Sequence, residues 1–205
     1  DEDNRNESFI IFNRDASHQE CKLSLAHNNF DAESNITHLT DDVIPDNSAK
    51  DWIRFSPREF VLTPTQSQTV RFIMRRKANA EDGEYRSYLV IDCGVAPSPD
   101  GKDISKPQVS VDTRLIHSVP IIVRSGKLDA SVWFDNFQPT DSGLNCTLNR
   151  KGSRSVYGDV EIIDKKTNEI IFMQRYFSIY PESLRYNFTI KNKNIDINNL
   201  MFRYI

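Results

Sequence analysis

The chain has 205 residues, 38% of them hydrophobic and 27% charged, with a net charge of −3. That is enough apolar matter for a packed core, in one large domain or two of about 100 residues each. The balanced charge, with Lys and Arg spread along the chain, argues against binding to nucleic acid or to an anionic membrane surface. No apolar run approaches the roughly 20 residues of a membrane-inserted helix.

The chain opens on the acidic run "DEDNRNES". No signal peptide is visible there, which fits a processed or trimmed chain and leaves secretion open. "SFIIFN" (8–13) is a short apolar run closed by "RDASH", and "ECKLSLAHNNF" alternates from Cys21 through Leu23 to Leu25. This period of two predicts strands. Residues 31–50 are polar and rich in turn formers, and they predict a long loop. "DWIRFSP" sets Ile53 and Phe55 against Trp52, Arg54 and Ser56. After a turn at Pro64, Val70, Phe72 and Met74 share one face of a strand, with Arg71, Ile73 and Arg75 on the other.

"DGEYRSYLVIDCG" (82–94) begins with a turn dipeptide and then alternates, with Tyr85, Ser87, Leu89 and Ile91 on one side and Arg86, Tyr88, Val90 and Asp92 on the other. Both sides carry aromatic or aliphatic groups, so this strand is expected to be covered on both faces. "APSPDGKDISKP" predicts a loop, and "QVSVDTRLIHSVPIIVRSG" (108–126) an unusually long strand. The second half repeats the style. "LDASVWFDNFQP", "GLNCTLNRKGS", a hairpin around "KKTN", "SLRYNFTIKN" and "NLMFRYI" follow one another at sandwich-like spacing. No apolar i, i+3, i+4, i+7 pattern lasts three turns. The expected class is all-β, two immunoglobulin-like sandwiches, 1–125 and 126–205, divided at Ser125–Gly126. The second is short and the first is without an obvious opening strand.

Cys21, Cys93 and Cys146 match no metal-ligand spacing. They leave open separate buried thiols, or a Cys21–Cys93 bridge in an oxidising compartment with Cys146 free. Cys146 is expected to be a buried thiol, because it shares the apolar face of "LNCTL" with Leu144 and Leu148. The N-x-S/T triplets at Asn6, Asn35, Asn145 and Asn187 are explained by chance in so Asn-rich a chain. His18, His27, His38 and His117 form no metal-binding spacing. There is no nucleophile elbow, phosphate loop or dinucleotide fingerprint. Paired acids such as Asp41–Asp42 and Glu81–Asp82 fall in turns. No enzyme chemistry, metal or cofactor is expected.

Four elements occur in order between Phe55 and Ile91: Ser56–Pro57, Val61–Leu62–Thr63–Pro64, Ser67–Gln68–Thr69–Val70–Arg71, and Gly83–Glu84–Tyr85–Arg86–Ser87. This run resembles the periplasmic chaperones of the chaperone–usher pilus pathway, and "VPIIVRSG" (119–126) is similar to that family's close of the first domain. "LNRKGSRSVYGDVEIID" resembles its second domain less specifically. The resemblance implies an L-shaped pair of immunoglobulin-like domains in the periplasm. It also implies pilin or fimbrial subunits and an outer-membrane usher as partners, with no nucleic acid and no membrane insertion.

In that family the last strand of the first domain is lent to an incomplete subunit sandwich. The matching residues here are Val109, Val111, Thr113 and Leu115, with "DGEYRSYLVIDCG" as the central strand beside them. The family holds the subunit's terminal carboxylate with an Arg and a Lys. This chain has Pro120, or Ile116 in a shifted alignment, at the Lys position, so Arg114 and Arg124 are the candidate anchors. The competing expectation is an immunoglobulin-like structural or adhesive surface protein without donor-strand activity.

Overall fold

In the computed structural model, residues 6–40, 42–75, 80–96, 114–192 and 196–205 are described. Fifteen strands are found among them: β1 Asn6–Phe12, β2 Gln19–Ala26, β3 Asn28–Phe30, β4 Ile36–His38, β5 Ile53–Ser56, β6 Glu59–Leu62, β7 Ser67–Met74, β8 Gly83–Val95, β9 Arg114–Ser125, β10 Ala130–Thr140, β11 Gly143–Gly152, β12 Val156–Asp164, β13 Ile170–Ile179, β14 Arg185–Ile190 and β15 Leu200–Tyr204. The one helical element among the described residues is a 3-10 turn, Ile197–Asn199. The class is all-β and immunoglobulin-like, as the period-two patterning predicts.

The chain divides into two compact units. The first holds Asp1–Asn28, Leu39–Ala80 and Tyr85–Val123; the second holds Asn29–His38, Glu81–Glu84 and Arg124–Ile205. A cut at residue 125 would assign Asn29–His38 and Glu81–Glu84 to the first.

The first unit pairs the sheet β1-β7-β5 with the sheet β6-β2-β8-β9. Between them Leu23, Phe55, Val70, Leu89 and Ile91 form the core, with Ile11, Phe72, Val119 and Ile121 against it. A second cluster of Ala49, Trp52, Ile53 and Val123 extends it. β8 lies between β2 and β9, and every residue from Arg86 to Leu89 is buried. The coverage of both faces expected from its sequence is met. Inside this unit the His27 ring nitrogen contacts the Ser48 hydroxyl at 2.8 Å and the Ser87 hydroxyl at 3.2 Å, so these buried polar groups satisfy one another.

The second unit pairs β10-β11-β14 with β13-β12-β15. Its core takes Leu144, Cys146 and Leu148 from β11, Val160 and Ile162 from β12, Phe177 and Ile179 from β13, Phe188 and Ile190 from β14, and Leu200. These are the alternate positions that one face of each strand supplies.

Two expectations are corrected. The predicted loop at 31–50 contains a strand, β4, which pairs with β3. All three residues of β4 are exposed, so burial imposes no apolar alternation on it. Among the cysteine alternatives, three separate thiols do not hold: Cys21 and Cys93 form a disulfide. They stand directly opposite each other in the β2–β8 ladder, a placement that sequence spacing alone does not reveal. Cys146 is free and buried, as expected, and burial pushes its thiol up to about 11.

Candidate functional site: the open edge of the first unit

β1 and β9 are the terminal strands of the two sheets of the first unit, and each has a described partner on one side only. Their apolar side chains are not all absorbed by the core. Ile10 and Phe12 of β1 are exposed, and so are Leu115 and Ile116 of β9. A cleft of about 490 Å³ opens between the two strands, lined by Phe9 to Asp15 of β1 and its turn, by Leu115 and His117 to Val119 of β9, and by Leu62 and Ile91 beneath. A second cleft of about 390 Å³ continues along the same pair, between Glu7 to Phe9 and Val119 to Val123.

The local sequence explains why the edge stays open. β1 carries Phe9, Ile10, Ile11 and Phe12 in succession, so both of its faces are apolar although among the described residues it pairs with β7 alone (Phe9 opposite Val70). A run of this kind left in water is a liability unless it has a use. In β9 the odd-numbered side chains point inward: Val119 and Ile121 pack on the core and Val123 is buried. Leu115 follows the same alternation but lies where the core has run out, and it is 58% exposed. Pro120 offers no N–H, a feature that edge strands tolerate and central ones do not.

Of the four predicted donor residues, Leu115 is described and stands at the cleft. Val109, Val111 and Thr113 lie outside the described residues. The two candidate anchors are not brought together. Arg114 donates from Nε to Asp92 Oδ1 at 2.9 Å, across the ladder from β9 to β8, and this bond raises its pKa further. Gly94 leaves room for its stem, since a Cβ there would lie 3.1 Å from Arg114 Cγ.

Arg124 belongs to the second unit, where its Nε donates to Glu84 Oε2 at 3.0 Å. The same oxygen accepts from the Ser155 N–H at 2.9 Å and the Ser155 hydroxyl at 2.7 Å. Glu84 is buried, and the three donors on Oε2 offset part of the cost of burying its charge, while Oε1 has no hydrogen-bond partner among the described residues. A Glu inside a "GEYRS" strand and an Arg 40 residues on give no local signal of contact. The sequence gives no signal for Arg14 on the cleft wall either, because its position depends on the turn after β1.

Among the described residues no group of three His, Cys, Asp or Glu side chains could hold a metal ion. No helix among them is long and apolar enough to cross a membrane. Among the described residues the edge offers two strands paired on one side and an apolar trough, which suit the binding of an extended chain.

No protein-family model and no curated protein matches the chain. Solved structures do. A chain of the CsuC–CsuE chaperone–tip adhesion subunit pre-assembly complex, from archaic chaperone-usher Csu pili of Acinetobacter baumannii, is similar with a TM-score of 0.50 at 12% identity, over 91% of this chain and 83% of that one. The class 5 fimbriae chaperone CfaA matches at a TM-score of 0.48 and 13% identity, over 97% of this chain and 91% of that one. The Pseudomonas aeruginosa CupB2 chaperone matches at 0.47 and 12%, over 99% and 93%. At these identities the likeness is one of fold, and the first of the three carries it.

Proposed function

We propose that this protein is a periplasmic chaperone of fimbrial subunits, a binding protein and not an enzyme, and that a subunit docks on the β1–β9 edge of the first unit. The observation that carries this reading is Leu115. It continues the inward-facing row of Val119, Ile121 and Val123, yet it stands in solvent at the mouth of the larger cleft. An edge strand whose inward row outruns its own core has side chains to lend. An incomplete sandwich has an apolar groove and an unpaired edge to receive them, and main-chain hydrogen bonds complete the join.

In this reading Val109, Val111, Thr113 and Leu115 form the lent row, and the loaded subunit then passes to an outer-membrane usher. The fold shared with a chain of the Csu pre-assembly complex supports this choice of partner. Arg114 and Arg124 already share their charge with Asp92 and Glu84, so a terminal carboxylate at either would compete with that pairing. Arg14 on the cleft wall is the alternative anchor. The prior engagement of both predicted anchors favours one second reading, an immunoglobulin-like surface protein that keeps the fold without donating a strand.

The two are separated by replacing Val111 and Leu115 with Asp. Each charge buried unpaired in an apolar groove costs several kcal/mol, whereas an exposed site tolerates Asp within about 0.5 kcal/mol. The proposal expects lost capture of a co-expressed fimbrial subunit with an unchanged melting curve. Undiminished capture, or a collapsed melting temperature, would refute it.

A further inference from the structure

The second unit holds an exposed aromatic pair that the docking edge does not use. Tyr157 of β12 and Tyr176 of β13 expose 67% and 71% of their surface. Their rings nevertheless lie within 17° of parallel, with centroids 6.4 Å apart. Irregular backbone creates the pairing. The β12–β13 ladder shifts register between Gly158 and Val160. Tyr176 stands at φ +58°, a region that bulky residues avoid and that clusters at functional positions.

The bulge is held by specific contacts. The Tyr176 N–H donates to Asp159 Oδ1 at 2.9 Å. The Asp159 backbone exchanges two hydrogen bonds with Ile205, at 2.8 and 3.0 Å. Gly158 is required beside it, because a Cβ there would stand 2.0 Å from the Ile205 carbonyl oxygen. The Tyr204 hydroxyl donates to the Phe177 carbonyl at 2.7 Å. Burial, with the charges of Asp159 and Tyr157 behind it, keeps that hydroxyl protonated. A strained tyrosine, a glycine and a carboxylate therefore combine to hold two large rings out in water.

We infer that Tyr157, Tyr176 and Asp159 form a recognition site for a cationic side chain, an arginine guanidinium, carried by a partner polypeptide. Ring faces attract cations, and a planar guanidinium can stack on a ring while its N–H groups reach a carboxylate. The centroid spacing of 6.4 Å is less than the roughly 7 Å that a planar group needs between two faces. The cation therefore takes an outer ring face. Among the described residues the chain's own cation–ring contact is Arg58 on Phe55, and the two tyrosines stay 67% and 71% exposed.

The test titrates N-acetyl-arginine amide into the full chain with isotope-labelled tyrosine rings, using neutral N-acetyl-citrulline amide of the same shape as control. The arginine probe should shift the Tyr157 and Tyr176 ring resonances saturably, and the citrulline probe should not. A five-residue peptide with one central Arg should bind at least as tightly as the amide. Tyr157→Ala or Tyr176→Ala should weaken binding by about two- to fivefold. Asp159→Asn keeps the oxygen that caps the Tyr176 N–H and removes the charge, so it should weaken binding at least twofold with an unchanged melting curve. Equal shifts from both probes, shifts confined to other tyrosines, unaltered binding by Asp159→Asn, or binding of choline without binding of the peptide would each overturn the assignment.

Discussion

Removing the Cys21–Cys93 bridge with the double substitution Cys21→Ala, Cys93→Ala should destabilise the first unit far more than the second. The bridge closes a loop spanning 72 residues of sequence separation. The chain-entropy relation for a loop of that size gives about 4 kcal/mol, a large share of the 5–15 kcal/mol that holds a typical domain together. The two tryptophans make the assay selective. Trp52 is buried in the first unit against Tyr85, at a centroid distance of 4.5 Å, and Trp133 lies in the second. Urea unfolding followed with Trp133→Phe, so that Trp52 alone reports, should show the midpoint falling by more than about 1 M for a slope of 1–3 kcal/mol/M. A midpoint within about 0.3 M of the parent would refute the reasoning.

Leu148→Ala removes a fully buried side chain from the core of the second unit and should cost about 2–5 kcal/mol, read from the transition of Trp133 with Trp52 replaced by Phe. Glu84→Ala leaves the Ser155 N–H and hydroxyl without their acceptor and Arg124 without its counter-ion. With Arg124 one-third exposed, a loss of about 2–4 kcal/mol is expected by urea unfolding, and a loss below about 0.5 kcal/mol would contradict the pairing. Burial raises the Cys146 thiol from 9.0 to about 11 and the Tyr204 hydroxyl from 10.0 to about 12. Both groups are held protonated when folded, so the stability they contribute is complete below about pH 9 and is lost as pH rises from there through 12, measurable as a falling melting temperature. Native Cys146 should label slowly with a thiol reagent at pH 8 and rapidly in denaturant.

How far the sequence could be read depended on which forces leave a local trace. Burial of one face imposes period two, and β2, β5, β7 and β11 were visible for that reason: Leu23, Phe55, Val70 and Leu148 all fall on the inward phase. β8 showed its double coverage directly. β4 left no trace, because Ile36, Thr37 and His38 are all exposed and the segment is set by pairing with β3. The disulfide depended on register, and the Glu84–Arg124–Ser155 cluster joins residues 31 to 71 positions apart. The open edge was half legible. "SFIIF" and the alternation through Leu115 announced apolar strands, but that β1 and β9 end the two sheets on one side of a common cleft is a fact of topology.

The central claim is that a fimbrial subunit binds along the β1–β9 edge, and backbone hydrogen exchange of the chain alone and in complex with a co-expressed subunit tests it most directly. Amides of an unpaired edge exchange readily, and amides that gain a strand partner are protected. The account predicts new protection along β9 and in β1, with little change in β11, β12 and β14 of the second unit. Unchanged exchange along both edge strands in a saturated complex, or protection confined to the second unit, would contradict it.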